Sequence, residues 1–142
     1  MEINELSNML HRLRSIEQQL TQQFEKKTGF SLTRYEILTF LNNHNFCNQM
    51  DIQQFMQIDR AAITRHLKIL ETKGYVNRKR NEANAREVIV SLTDYGKSTL
   101  EKCQMNHCSE SCNLPINIDK DHMKALMELM DIIQNSDIKG EN

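Results

Sequence analysis

Apolar residues return every three or four positions along the first stretch of the chain: Ile3, Leu6, Leu10, Leu13, Ile16, Leu20 and Phe24. That spacing draws a single stripe down a helix and predicts one long amphipathic element. Lys26 and Lys27 suit its negative C-terminal end, and Gly29 supplies the stop. A second helix is expected from about Ser31, with Thr33 and Glu36 spaced as a capping box, Ile37, Leu38 and Leu41 facing inward, and an end at Asn42 and Asn43. Asn48, three residues before Asp51, opens a short helix whose apolar residues are Ile52, Phe55 and Met56, and Ile58 marks a turn. Asp59 caps the next helix, which runs to about Lys73 with Ile63, Leu67 and Leu70 on its buried side before Gly74 closes it. Two short helices joined by a tight turn outline a helix-turn-helix.

The period then changes to alternation, in Val76, Arg78 and Arg80 and again in Val88, Val90 and Leu92. Two strands are therefore expected, joined by the short polar tip Asn81 to Ala85 into a β-hairpin, the wing. Thr93 and Asp94 start a helix through Leu100 and Cys103 towards Cys112, and the stretch Asn113 to Pro115 interrupts it. A last helix begins at about Asp119 and carries Met123, Leu126, Met127, Met130 and Ile133 on one side. No repeat, low-complexity tract or flexible linker divides the chain, so residues 1–142 read as a single domain. Its class is mainly α with a small β-hairpin: a winged helix-turn-helix module at residues 31–96, with residues 1–28 and 97–142 as a helical dimerisation region. One chain offers little for both terminal stripes to cover, which points to a homodimer.

Charge sharpens this picture. The net charge of −1 conceals a basic centre: Asp59 to Arg86 holds eight of the 18 Lys and Arg residues and three of the 19 Asp and Glu. A basic segment in an acidic frame suits a polyanion bound at one face, the alternative being an ordinary solvated surface. Within it, Arg60, Ala61, Thr64, Arg65 and Lys68 fall opposite Ile63, Leu67 and Leu70. Arginine can read guanine, and Ala61 or the Thr64 methyl can meet a thymine methyl, so this face is the candidate reader of double-stranded DNA. Arg78, Lys79, Arg80 and Arg86 place further cations on the hairpin.

Other classes find less support. No apolar run is long enough to span a bilayer, and the start, MEINELSNML, lacks the features of a signal peptide, so a cytoplasmic protein is expected. In that compartment Cys47, Cys103, Cys108 and Cys112 would be reduced. Neither a Gly-rich phosphate cradle nor a catalytic triad signature occurs, and an enzyme is not expected.

The stretch DRAAITRHLKILETKGYVNRKRNEANAREVIVSLTDYG, Asp59 to Gly96, resembles the MarR family of bacterial regulators. The residues that carry the likeness are Ile63 to Arg65, Leu70 to Val76, Arg78, the wing arginine Arg86, and Leu92, Thr93 and Gly96, with weaker similarity over nearly the whole chain. The resemblance implies an obligate dimer held by its first and last helices, reading a pseudo-palindromic operator, in a family where many members repress their targets. Two positions depart from the pattern: Asn84 stands where an aspartate usually braces the wing arginine, and Gln57 where a turn glycine is frequent.

Such regulators commonly respond to a small molecule, an oxidant or a metal. Cys103 and His107 lie four apart, as do Cys108 and Cys112, a spacing that lets each pair on a helix share an ion such as zinc. By similarity to zinc-sensing members, Cys103 and His107 fall near a helical ligand pair and Glu36 near a ligand from the second helix. Two other readings stand beside this one: cysteines packed as small hydrophobes in the dimer interface, and a redox switch with Lys102 as the nearest base. The rival functions are a metal- or thiol-handling protein centred on this cluster and a winged module that binds protein partners.

Overall fold

In the computed structural model, which describes residues 1–107 and 117–136, the elements run α1 (Ile3–Thr28), α2 (Leu32–Asn43), β1 (Cys47–Asn48), α3 (Gln49–Met56), α4 (Arg60–Thr72), β2 (Val76–Asn81), β3 (Asn84–Leu92), α5 (Asp94–His107) and α6 (Lys120–Asn135). Local chemistry fixes the helix ends. Glu2 and Glu5 form a reciprocal capping box on α1, and Gly29 at φ +72° ends that helix by donating its N–H to the Glu25 carbonyl at 2.9 Å. Helix α2 starts two residues earlier than the Thr33 and Glu36 pair would set it. The Ser31 hydroxyl accepts from the Arg34 N–H, and Thr33 already lies inside the first turn, so Ser31 is the cap. Asn48 and Asp51 do form the expected box at α3.

The turn between α3 and α4 is made without glycine. Gln57 itself takes the left-handed conformation, φ +55° and ψ +35°, at a cost of roughly 1–2 kcal/mol for a residue with a side chain. Asp59 then caps α4 by accepting the Ala62 N–H at 2.6 Å.

The sheet corrects the two-strand expectation. It has three antiparallel strands in the order β1-β3-β2, and β1 pairs Cys47 with Val90 and Asn48 with Ile89. The hairpin tip is also shorter than expected, because Asn81 pairs with Asn84 and leaves Glu82 and Ala83 as the turn. At the far end of β3 the Thr93 hydroxyl donates to the Gly74 carbonyl at 2.6 Å and accepts the Gly96 N–H at 2.9 Å. A β-carbon at position 96 would collide with the Tyr75 carbonyl, so this junction requires glycine.

The core gathers Ile37, Leu38 and Leu41 of α2, Ile52 of α3, Ile63, Leu67 and Leu70 of α4, Cys47, Val76 and Val90 of the sheet, and Leu100 of α5. Helices α1 and α6 contribute no buried residue, although each has a pronounced apolar side. Phe55 of α3 is likewise outside the core, 57% exposed and stacked on Phe40 at 4.6 Å between ring centroids. Among the described residues no helix is long and apolar enough to cross a membrane. The continuation of α5 towards Cys112 and its interruption near Pro115 lie outside the described residues.

Candidate nucleic-acid interface

Helix α4 divides its surface as its sequence demands. Ile63, Leu67 and Leu70 are buried, while Arg60, Ala61, Thr64, Arg65 and Lys68 are exposed on the other face. Burying the apolar side anchors the helix and fixes which way the polar side points. The side chains of Arg60, Arg65 and Lys68 make no hydrogen bond or ion pair within the described residues, so their charge is free for an anion. His66, beside them, is only partly exposed. Burial, then Arg34 and Arg65, push its pKa below the usual imidazole value, so it adds little positive charge near neutral pH.

The Thr64 hydroxyl is occupied from both sides. It donates to the Arg60 carbonyl at 2.9 Å and accepts from the Gln49 amide at 2.7 Å, which ties the start of α3 to α4 and leaves the methyl as the free part of the side chain. Gln49 was not among the residues the sequence pointed to. Its only signal was its place directly after the Asn48 cap.

The wing and the start of α3 flank a groove of about 780 Å³ that Arg60 of α4 also lines; its other lining residues are Asn48, Gln49, Met50 and Gln53 on one side and Arg80, Asn84, Arg86, Glu87 and Val88 on the other. Three of the expected contact residues thus meet in one concavity: Arg60 from the start of α4, and Arg80 and Arg86 from the two wing strands. Arg80 is held by donating to the Ala85 carbonyl at 2.9 Å across the hairpin. Lys79, next to Arg80 in β2, is exposed on the opposite face of the strand.

Arg78 has a different place from the other wing cations. Its guanidinium forms a two-point ion pair with Glu71, at 3.1 and 3.3 Å, which joins β2 to the last turn of α4. The hydrogen bonds from Arg78 hold the Glu71 carboxyl below the usual range. Arg78 therefore braces the wing, and its charge is largely spent inside the chain.

Asn84 does not brace Arg86 through its guanidinium. The Asn84 side-chain Oδ1 accepts the backbone N–H of Arg86 at 3.2 Å, which shapes the start of β3 and leaves the Arg86 guanidinium without a partner among the described residues.

The sensor candidates are only partly visible. Cys103 is half-buried in α5, and burial pushes its thiol above the ordinary value, the reverse of what an easily oxidised thiolate needs. Glu36 is exposed on α2, with its carboxyl raised by partial desolvation and then by Glu17. No group of three His, Cys, Asp or Glu side chains gathers to hold a metal among the described residues. His107 ends α5, while its side chain, Cys108 and Cys112 lie outside the described residues.

A capped recognition helix, a tight turn before it and a basic hairpin beside it define a winged helix-turn-helix protein. A family model for the MarR family matches residues 30–88. A transcriptional regulator of helix-turn-helix type from Bacillus subtilis, YdgJ, is 32% identical over 133 residues, covering 94% of this chain and 81% of that protein. The fold matches a mutant MarR from Escherichia coli complexed with operator DNA, with TM-score 0.81, 20% identity, and 94% and 99% of the two chains covered. It also matches the transcriptional repressor CouR bound to a 23-mer DNA duplex, with TM-score 0.79, 23% identity, and 94% and 98% covered. The chain belongs to the MarR family, whose members are transcriptional regulators and not enzymes.

Proposed function

We propose that the chain acts as a homodimer that binds double-stranded DNA at a pseudo-palindromic operator, represses transcription there, and lets go when an effector changes the spacing of its two winged modules. The observation that carries this reading is the groove in which Arg60 of α4 meets Arg80 and Arg86 of the wing, beside the unpaired Arg65 and Lys68. Phosphates along a groove wall fit such cations, while the exposed face of α4 matches the dimensions of a DNA major groove. The operator-bound MarR and duplex-bound CouR support the same docking, each for its own protein. The apolar sides of α1 and α6, bare on the single chain, support the dimer.

Helix and wing have separable jobs on this reading. Arg65→Ala removes a base-edge contact and is expected to cost about 1–3 kcal/mol while relaxing sequence preference. Lys79→Ala removes a phosphate contact, weakens all duplexes alike, and reduces the slope of log affinity against log salt by about 1. Binding titrations against a duplex selected from a random pool and against its scrambled version, over a salt series, separate the two. An Arg65→Ala variant with unchanged affinity and preference would overturn the assignment of the reading face.

A further inference from the structure

One acidic side chain stands among the arginines of the groove. Glu87 lines the same concavity as Arg60, Arg80 and Arg86, where a bound phosphate backbone would be repelled by it. Its contacts give a reason for its presence. One carboxylate oxygen accepts from the Asn48 amide at 2.9 Å, and the other accepts from the Asn81 amide at 2.9 Å. Asn48 is the cap of α3, and Asn81 is the last residue of β2 at the wing tip.

We infer that Glu87 is a positioning residue for DNA binding, a two-oxygen bridge that holds the outer half of the wing against the helix-turn-helix. This inference rests on the DNA-binding reading above. Backbone pairing between β1 and β3 stops at Ile89, and the Arg78 and Glu71 pair braces only the inner part of β2. Further towards the tip, Glu87 makes the tie between wing and α3.

Both of its donors are locked in orientation. The Asn48 carbonyl oxygen already accepts the Asp51 N–H at 2.7 Å to cap α3, so the amide nitrogen must face Glu87. The Asn81 carbonyl oxygen accepts the Ala83 N–H at 3.0 Å to form the tip turn, which forces its amide nitrogen the same way. Two fixed donors require a group that only accepts, and an ionised carboxylate is the side chain that does so with both oxygens. The same two amides hold the Glu87 carboxyl below the usual range, so it is ionised at neutral pH. Glutamine would set an NH2 against one locked donor, and relief would mean giving up either the α3 cap or the tip turn.

The sign of the effect distinguishes positioning from bulk charge. Removing a negative charge from a DNA-facing groove strengthens binding on electrostatic grounds alone. Loss of the bridge weakens it. Glu87→Gln is therefore expected to bind the duplex selected by the wild-type chain about tenfold more weakly, the size of one lost hydrogen bond to a charged group. Adding Asn81→Asp restores the pattern: the new carboxylate accepts both the Ala83 N–H and the new amide at position 87, and net charge returns to that of the wild type. The double variant should recover most of the affinity.

A second measurement needs no DNA. Backbone amide order parameters for residues 82–86 should fall in Glu87→Gln and recover in the double variant, with the melting temperature of each recorded to confirm folding. Unchanged order with equal or tighter binding in the single variant would overturn the inference, as would a failure of the double variant to recover both. If the wild-type chain enriches no duplex, the DNA-binding reading fails, and the order parameters still decide whether Glu87 holds the wing.

Discussion

A chain carrying Leu10→Glu together with Ile133→Glu should sediment at 16.7 kDa instead of twice that mass, and should lose about 10²–10⁴-fold in affinity for a duplex with two half-sites. Leu10 of α1 and Ile133 of α6 are each 48% exposed on the single chain, in stripes that bury nothing. Covering such stripes with a second copy yields about 25 cal/mol for each Å² of apolar surface removed from water, and a carboxylate set into that contact costs several kcal/mol instead. The winged module draws its core from α2 to α5 and the sheet, so far-ultraviolet circular dichroism should stay close to that of the wild type. The affinity falls because the second module's binding stops being intramolecular. A variant that remains dimeric, or a monomer that binds at full strength, contradicts this view of the terminal helices.

Leu67→Ala tests the opposite side of the recognition helix. Leu67 is fully buried in the shared core, and truncating it to alanine should lower the unfolding free energy by about 2–5 kcal/mol through lost burial and the cavity left behind. Arg65→Ala, two residues away on the exposed face, should change stability by no more than about 0.5 kcal/mol. Denaturant titrations of both variants at equal protein concentration make the comparison, since subunit association contributes to the stability of any dimer. Equal losses would mean that α4 is not seated as described.

Most of the helical skeleton was legible in the sequence because helices bury or present faces with a fixed local period. The Asn48 and Asp51 box, the Asp59 cap and the Gly29 and Gly74 stops all act within four residues of chain. Strand β1 was not legible: two residues cannot show alternation, and their partners Val90 and Ile89 lie far along the chain. The split of α4 into an apolar and a basic face was readable from spacing alone. The groove was not, since Gln49, Gln53 and Glu87 join Arg60 only after the hairpin folds back beside α3. Arg78 shows the same limit from the other direction, because a cation seen in sequence gives no sign that Glu71 across the Gly74 turn will claim it.

Sedimentation equilibrium of the complex with a selected duplex, across a salt series, reads out whether two chains together grip duplex DNA through their basic winged modules. Two chains per duplex are expected, with a log affinity that falls linearly with log salt, by about 0.9 for each phosphate neutralised. One chain per duplex with an affinity indifferent to salt would contradict such a grip.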